Sequence, residues 1–320
     1  MRHEIWYQHA LINRLQTLML LLAMGAFLAI AGWLLWGVSG AIWLLFLALV
    51  LLILNPVVSP QLIMRLYRAS RLNPRQVPAL YAALIEIARR ADLPAIPTLY
   101  YVPSRIVNAF ALGTRSQAAI AVTDGLLRML TTREAAGVLA HEVSHINSND
   151  LRVMGIADLF SRMTSMLSLF GQLLLLVNLP LILLTDVSIN WIAVLILIFA
   201  PNLSALAQLG LSRTREYDAD LNAAHLTGDP QGLASALVKI ERQQGYFLEQ
   251  ILLPGRRNPE PSLLRTHPPT EERVRRLMAL ELPRESAQVY LEPRIRFLLE
   301  PEFGDPIRRI PRWHISGLWH

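Results

Sequence analysis

Long apolar runs, broken at only a few points, set the organisation of the chain. No charged side chain occurs between Arg14 and Arg65. Within that stretch Thr17 to Trp36 ("TLMLLLAMGAFLAIAGWLLW") is 20 residues long, the length a helix needs to cross a bilayer core. "GVSG" breaks the run, and Ala41 to Val58 forms a second one, closed by Asn55, Pro56 and Pro60. A cleavable leader has a shorter apolar region and no second span directly behind it, so the pair reads as a retained hairpin. A second pair follows between Arg162 and Arg213: Met163 to Leu184 and Ile189 to Gly210 are uncharged, and Asp186 is the one charge between them. Pro180 and Pro201 fall inside these runs and predict kinks. The competing explanation is a pair of buried core helices, but runs this long stand at the threshold for spanning.

Elsewhere the polar positions return. Residues 73–93 carry apolar side chains at helical spacing behind Pro78. "IPTLYYVPS", "NAFALGT" and "QAAIAVTDG" read as three short strands with Gly113 at a turn, which predicts a small antiparallel sheet. Asp124-Gly125 opens a short helix, and Thr131 or Thr132 caps the next. Residues 212–226, 230–245 and the stretch after "THPP" are helical by pattern, while 285–320 predicts no particular fold. The expected organisation is a membrane α+β protein: a transmembrane hairpin in 1–60, a soluble segment 61–162, a second hairpin in 163–210, a second soluble segment 211–284 and a tail 285–320, with four transmembrane helices in all.

Charge sets the orientation. Only 17% of the 320 residues are charged, against about 25% in ordinary soluble domains. The net charge of +6 rests on arginine, with Lys239 the sole lysine. The arginines flank the apolar blocks rather than clustering among aromatics, which argues against a nucleic-acid partner. Arg14, Arg65, Arg68, Arg71, Arg75, Arg152, Arg162, Arg213 and Arg215 lie outside the hairpins, and neither hairpin tip has a Lys or Arg. The positive-inside rule therefore puts both soluble segments on the cytoplasmic side. The absence of cysteine excludes disulfides and thiolate metal sites.

The chemistry concentrates in "GVLAHEVSHINSND". His141 and His145, one helical turn apart, can direct two imidazoles at one point, an arrangement that suits a tetrahedral zinc ion. Glu142 can reach a water on such an ion and serve as general base. A third ligand is needed. The candidate lies in "LSRTREYDADLNAAHL": Glu216 can complete the site, with Asp220 on the same face able to accept a hydrogen bond from a ligand imidazole and Arg213 near that face. An exposed helix with routine charge pairs is the bland alternative for this stretch. His225 lies on the opposite face and reads as a non-ligand. His267 in "THPP" is a candidate for the site edge, and Asp150 for a helix-end or supporting role.

Four motifs, "NAFALG", "HEVSHINSND", "SRTREYDADLNAA" and "THPPTEERV", occur in the order and spacing of the HtpX-type membrane zinc metallopeptidases, relatives of the CAAX prenyl endopeptidases. The chain resembles that family over roughly residues 15 to 280, although "NAFALG" has leucine where many relatives have threonine. The resemblance implies a mostly helical, gluzincin-like peptidase domain with one Zn2+ per chain held by His141, His145 and Glu216. It implies Glu142 as base, and a sheet edge at Asn108, Ala109 and Phe110 that binds extended substrate. It also implies cleavage of misfolded or damaged membrane proteins, at the cytoplasmic face of a cell inner membrane, in stress-related quality control. Homo-oligomerisation or contact with other quality-control proteins fits the same family. A non-catalytic membrane scaffold with a structural zinc is the alternative; a transporter is disfavoured, because the spans lack intramembrane ionisable residues.

Overall fold

The computed structural model describes residues 2–54, 60–177, 179, 191–251 and 268–280. The Asp186 connection, His267 and the tail 285–320 lie outside the described residues. The chain divides into two compact units, Met1–Pro56 with Arg152–Arg215 and Val57–Leu151 with Glu216–His320.

The first unit is helical. α1 (Arg2–Leu54) is two arms joined where Trp36 and Gly37 leave helical geometry, Gly37 at φ 66°. A Cβ at Gly40 would collide with the Gly32 carbonyl oxygen, so the arms fold back tightly only because both positions are glycine. Leu28 and Ala48 of the two arms are buried together with Met163 of α6 (Asp150–Val177). α6 meets the first half of α7 (Trp191–Thr227) through Ser161, whose hydroxyl lies 3.1 Å from the Ser204 hydroxyl and donates to Gln208 Oε1 at 3.0 Å. Such contacts hold helices together where lipid leaves no hydrophobic drive between them. Met19, Trp43, Met166 and Trp191 are each about two-thirds exposed or more, an outward apolar surface that suits acyl chains and not water. Among the described residues three helices are long and apolar enough to span: Arg14–Leu34, Asp150–Val177 and Val194–Thr227. The second arm of α1, Trp36–Leu51, is apolar but shorter. Four full spans are therefore not established among the described residues; the break at Gly37 shortens the arm that follows it.

The second unit holds the sheet. Its strands are β1 (Ser70–Arg71), β2 (Thr98–Val102), β3 (Ala109–Thr114) and β4 (Gln117–Thr123), in the order β1-β2-β4-β3. β3 and β4 form the expected hairpin, with Gly113 at φ 96°. β2 and β4, however, run parallel, so the sheet is mixed and not antiparallel. Residues 103–108 carry the chain past β4's position to the far edge before the hairpin returns. Strand periodicity encodes each strand but not this crossing.

The helices α3 (Pro78–Arg90), α5 (Thr132–Asn147) and α8 (Pro230–Ile251) enclose one core with Leu80, Leu84, Ile87, Leu99, Ile120 and Leu139 fully buried. On a smaller cluster, α2 (Pro60–Leu66) contributes Met64 against Val102, Ala119 and Ala121, with Tyr67 and Phe110 packed alongside. α4 (Asp124–Met129) is capped by Thr123. α9 (Thr270–Met278) packs on α8.

Candidate metallopeptidase site

α5 is fixed at its start and along its length. Thr131 and Glu134 form a reciprocal capping box. The Glu134 carboxylate also accepts from Ser235 Oγ at 2.6 Å and Lys239 Nζ at 2.8 Å on α8. Burial raises the Glu134 carboxyl, but the hydrogen bonds from Lys239, Ser235 and Thr131 outweigh it and hold the group below its ordinary value. One turn further on, a Cβ at Gly137 would stand 3.0 Å from Leu233 Cα, so α5 and α8 approach closely there. His141, Glu142 and Ser144 are all buried on the same helix. Ser144 Oγ accepts from Asn222 Nδ2 of α7 at 3.1 Å.

The imidazoles converge as their spacing predicts. His141 Nε2 and His145 Nε2 are 3.1 Å apart. Glu216 of α7 places Oε2 3.4 Å from His141 Nε2 and Oε1 3.6 Å from His145 Nε2. These three residues form a group whose ligand atoms all lie within 4.8 Å of one another. Ligand atoms at about 2.0–2.1 Å from a tetrahedral zinc stand about 3.3–3.4 Å apart, so the observed separations fit that ion.

The far sides of both rings meet carboxylates. Asp150 Oδ2 lies 2.6 Å from His145 Nδ1, and Asp220 Oδ1 lies 3.0 Å from His141 Nδ1. A carboxylate at Nδ1 holds the proton there and leaves the Nε2 lone pair aimed at the shared point. Burial by itself lowers the His141 pKa, yet the Asp220 and Glu216 carboxylates more than offset it and push it up to about 10. The surroundings thus favour positive charge at this point.

The largest contribution missed from sequence is Arg273 of α9. Its guanidinium donates to both Asp220 oxygens, at 2.7 and 2.6 Å, and Nη1 lies 3.3 Å from Glu216 Oε2. Burial works against this cation, but the carboxylates of Asp220, Glu216 and Glu142 raise its pKa above the ordinary arginine value. Arg273 lies inside the "THPPTEERV" motif. Nothing in its spacing tells which helix it meets. A second strap stands beside it, the Arg276 guanidinium 3.7 Å over the Tyr217 ring.

Arg213, expected near Glu216, is exposed; the guanidinium at Glu216 and Asp220 is that of Arg273. Helical spacing gives a shared azimuth but not which side chain packs over a given turn. His225 is exposed as well. Asn108 is tied by its backbone to Thr123: its N–H donates to Thr123 Oγ1 at 3.0 Å, and its carbonyl accepts from Thr123 Oγ1 at 2.9 Å. Ala109 faces the core shared with α5, whereas Phe110 points to the opposite sheet face and packs against Tyr67, ring centroids 5.2 Å apart and planes tilted by 50°. Among the described residues β3 pairs with β4 alone and its outer edge carries no strand.

A histidine pair one turn apart with a glutamate between them, joined by a glutamate from another helix, defines a metallopeptidase-type centre. Residues 74–281 match the model of peptidase family M48, and the chain belongs to that family. It is similar to the protein named Protease HtpX homolog of Acaryochloris marina (strain MBIC 11017), 38% identical over 242 residues, 70% of this chain and 79% of that one. It is also similar to the Protease HtpX homolog of Desulfatibacillum aliphaticivorans, 34% identical over 83% of this chain and 89% of that one. The crystal structure of S. mikatae Ste24p matches at 20% identity and a TM-score of 0.46 over 85% of this chain and 67% of that one, too loosely to carry an argument. Family membership and the apolar helices together make this chain a membrane metalloprotease.

Proposed function

We propose that the chain is a zinc endopeptidase that hydrolyses peptide bonds of misfolded or damaged membrane proteins at the cytoplasmic face of the inner membrane, as part of stress-related quality control. The observation that carries the catalytic part is the convergence of His141 Nε2, His145 Nε2 and the Glu216 carboxylate at mutual distances of 3.1–3.6 Å. These three residues would hold one zinc ion. When bound, zinc supplies Lewis-acid polarisation of the scissile carbonyl and acidifies its water.

The side chains do the rest. Glu142 takes a proton from the attacking water and delivers it to the leaving amine, so one water is consumed as the C–N bond breaks. Asp150 and Asp220 keep the ligand rings oriented, and Arg273 neutralises Asp220 and Glu216. The free edge of β3 would take an extended substrate as an added strand, through the backbone of Asn108, Ala109 and Phe110. Phe110's side chain is engaged on the other face, which supports main-chain recognition and broad sequence tolerance. The cytoplasmic placement rests on the arginines outside the hairpins.

The test is Glu142→Gln in the full-length protein, reconstituted with a destabilised membrane-protein substrate. Loss of cleavage by roughly 10²–10⁴-fold with zinc retained is expected of a general base. Full cleavage by the variant would remove Glu142 as the base, and zinc-loaded wild type that cleaves no better than the variant would favour the scaffold reading.

A further inference from the structure

The segment that leaves α1 and enters the sheet carries a charge pattern the catalytic site does not use. No acidic residue occurs between Glu4 and Glu86, while Arg65, Arg68, Arg71 and Arg75 fall within eleven positions of one another. All four arginines are exposed. On α2, Leu62 and Leu66 are 54% and 47% exposed and lie on one side with Arg65, while Met64 is buried on the other. Two leucines a turn apart with an arginine between them are costly in water. They fit a boundary between acyl chains and headgroups.

The backbone adds a second observation. Arg68 closes α2 at φ 52°, a left-handed conformation that favours glycine. The turn bonds are made, Arg68 N to Arg65 O at 3.0 Å and Ala69 N to Met64 O at 2.8 Å. The turn would form with less strain around glycine, yet this position presents an exposed guanidinium. Covalent reach places the segment near the lipid: Pro60 follows Leu54 by six residues, which span at most about 20 Å when fully extended.

We propose that Arg65, Arg68, Arg71 and Arg75, with Leu62 and Leu66, form a docking surface for anionic phospholipid headgroups. The partner is an anionic glycerophospholipid in the bilayer, recognised by four exposed guanidiniums beside an inserted leucine pair. The consequence extends to the sheet. α2 packs on the sheet through Met64, and Tyr67 packs against Phe110 of the edge strand β3. Lipid held at α2 therefore steadies the free edge of β3.

The experiment is hydrogen exchange on the full-length protein in nanodiscs, read over peptides covering 60–76 and independent of proteolysis. Nanodiscs of purely zwitterionic lipid are compared with nanodiscs containing about one-third anionic phosphatidylglycerol, at low and high salt. Slowing of exchange by several-fold in anionic discs, reversed by high salt and absent in the variant with all four arginines changed to Gln, is the expected result. A salt-sensitive slowing that inorganic phosphate reproduces in zwitterionic discs would replace the lipid with a free-anion site and overturn the proposal. Equal exchange in both lipids would also overturn it. Measurement on Glu142→Gln gives the same answer whether or not the chain is a protease, so the two readings fail separately.

Discussion

Each ligand imidazole is held by a carboxylate on its far side, and the loss of either support should be felt at the metal. Asp150→Asn should weaken zinc binding about 10–100-fold, as removal of such a support does elsewhere, read by competition with a chromogenic chelator. Arg273→Met leaves the Asp220 and Glu216 carboxylates buried without their cation. It should destabilise the fold by about 3–5 kcal/mol, the usual consequence of breaking a buried pair from one side, measured as a lower thermal midpoint in detergent. Unchanged midpoint and zinc affinity would mean Arg273 is idle. His141 with His145, and Glu216 with Asp220, were legible in the sequence, because i, i+4 spacing sets each pair on one helix face; Glu142 was singled out only by its place beside His141. Arg273 was not legible, since its partners lie 53 and 57 positions away on another helix. Asp150 was legible as a helix-end or supporting residue, but not which ring it meets; the turn that swings it back to His145 passes through Asn149 at φ 54°.

The helix that carries the site is secured by features of different visibility. The cap was readable to within one position, Thr131 or Thr132; the structure places it at Thr131 in a capping box with Glu134, and Thr131→Ala should cost about 0.5–2 kcal/mol. The tie from Glu134 to Lys239 and Ser235 on α8 was not readable, because it joins residues 105 and 101 positions apart. It has a pH signature. The Glu134 carboxyl is depressed in the folded protein, so its contribution is present above the ordinary carboxylate range and is lost as pH falls through the folded value. Wild type should lose thermal stability between about pH 5 and pH 3 more steeply than Lys239→Met, and parallel curves would contradict the tie. The sheet shows the same limit. All its major strands were marked by periodicity and turn residues, but the parallel β2–β4 pairing depends on where a six-residue connection lands.

For the molecule as a whole, the orientation can be checked directly because the chain contains no cysteine. Single cysteines at Ser116, exposed in the β3–β4 turn, and Ser39, exposed at the tip of the first hairpin, should be labelled from opposite sides of intact inverted and right-side-out vesicles. Labelling of both from one side would remove the first hairpin as a crossing element, a real question since its second arm is the short one. The apolar runs made membrane insertion legible, whereas the length of each crossing depended on the helix break at Gly37. The central claim, that residues separated by a membrane hairpin in sequence share one zinc ion, has its most direct test in the zinc content of the purified full-length chain, wild type against Glu216→Ala. About one zinc per chain falling close to none is the predicted result. One zinc per chain retained in Glu216→Ala, with affinity unchanged, would contradict it.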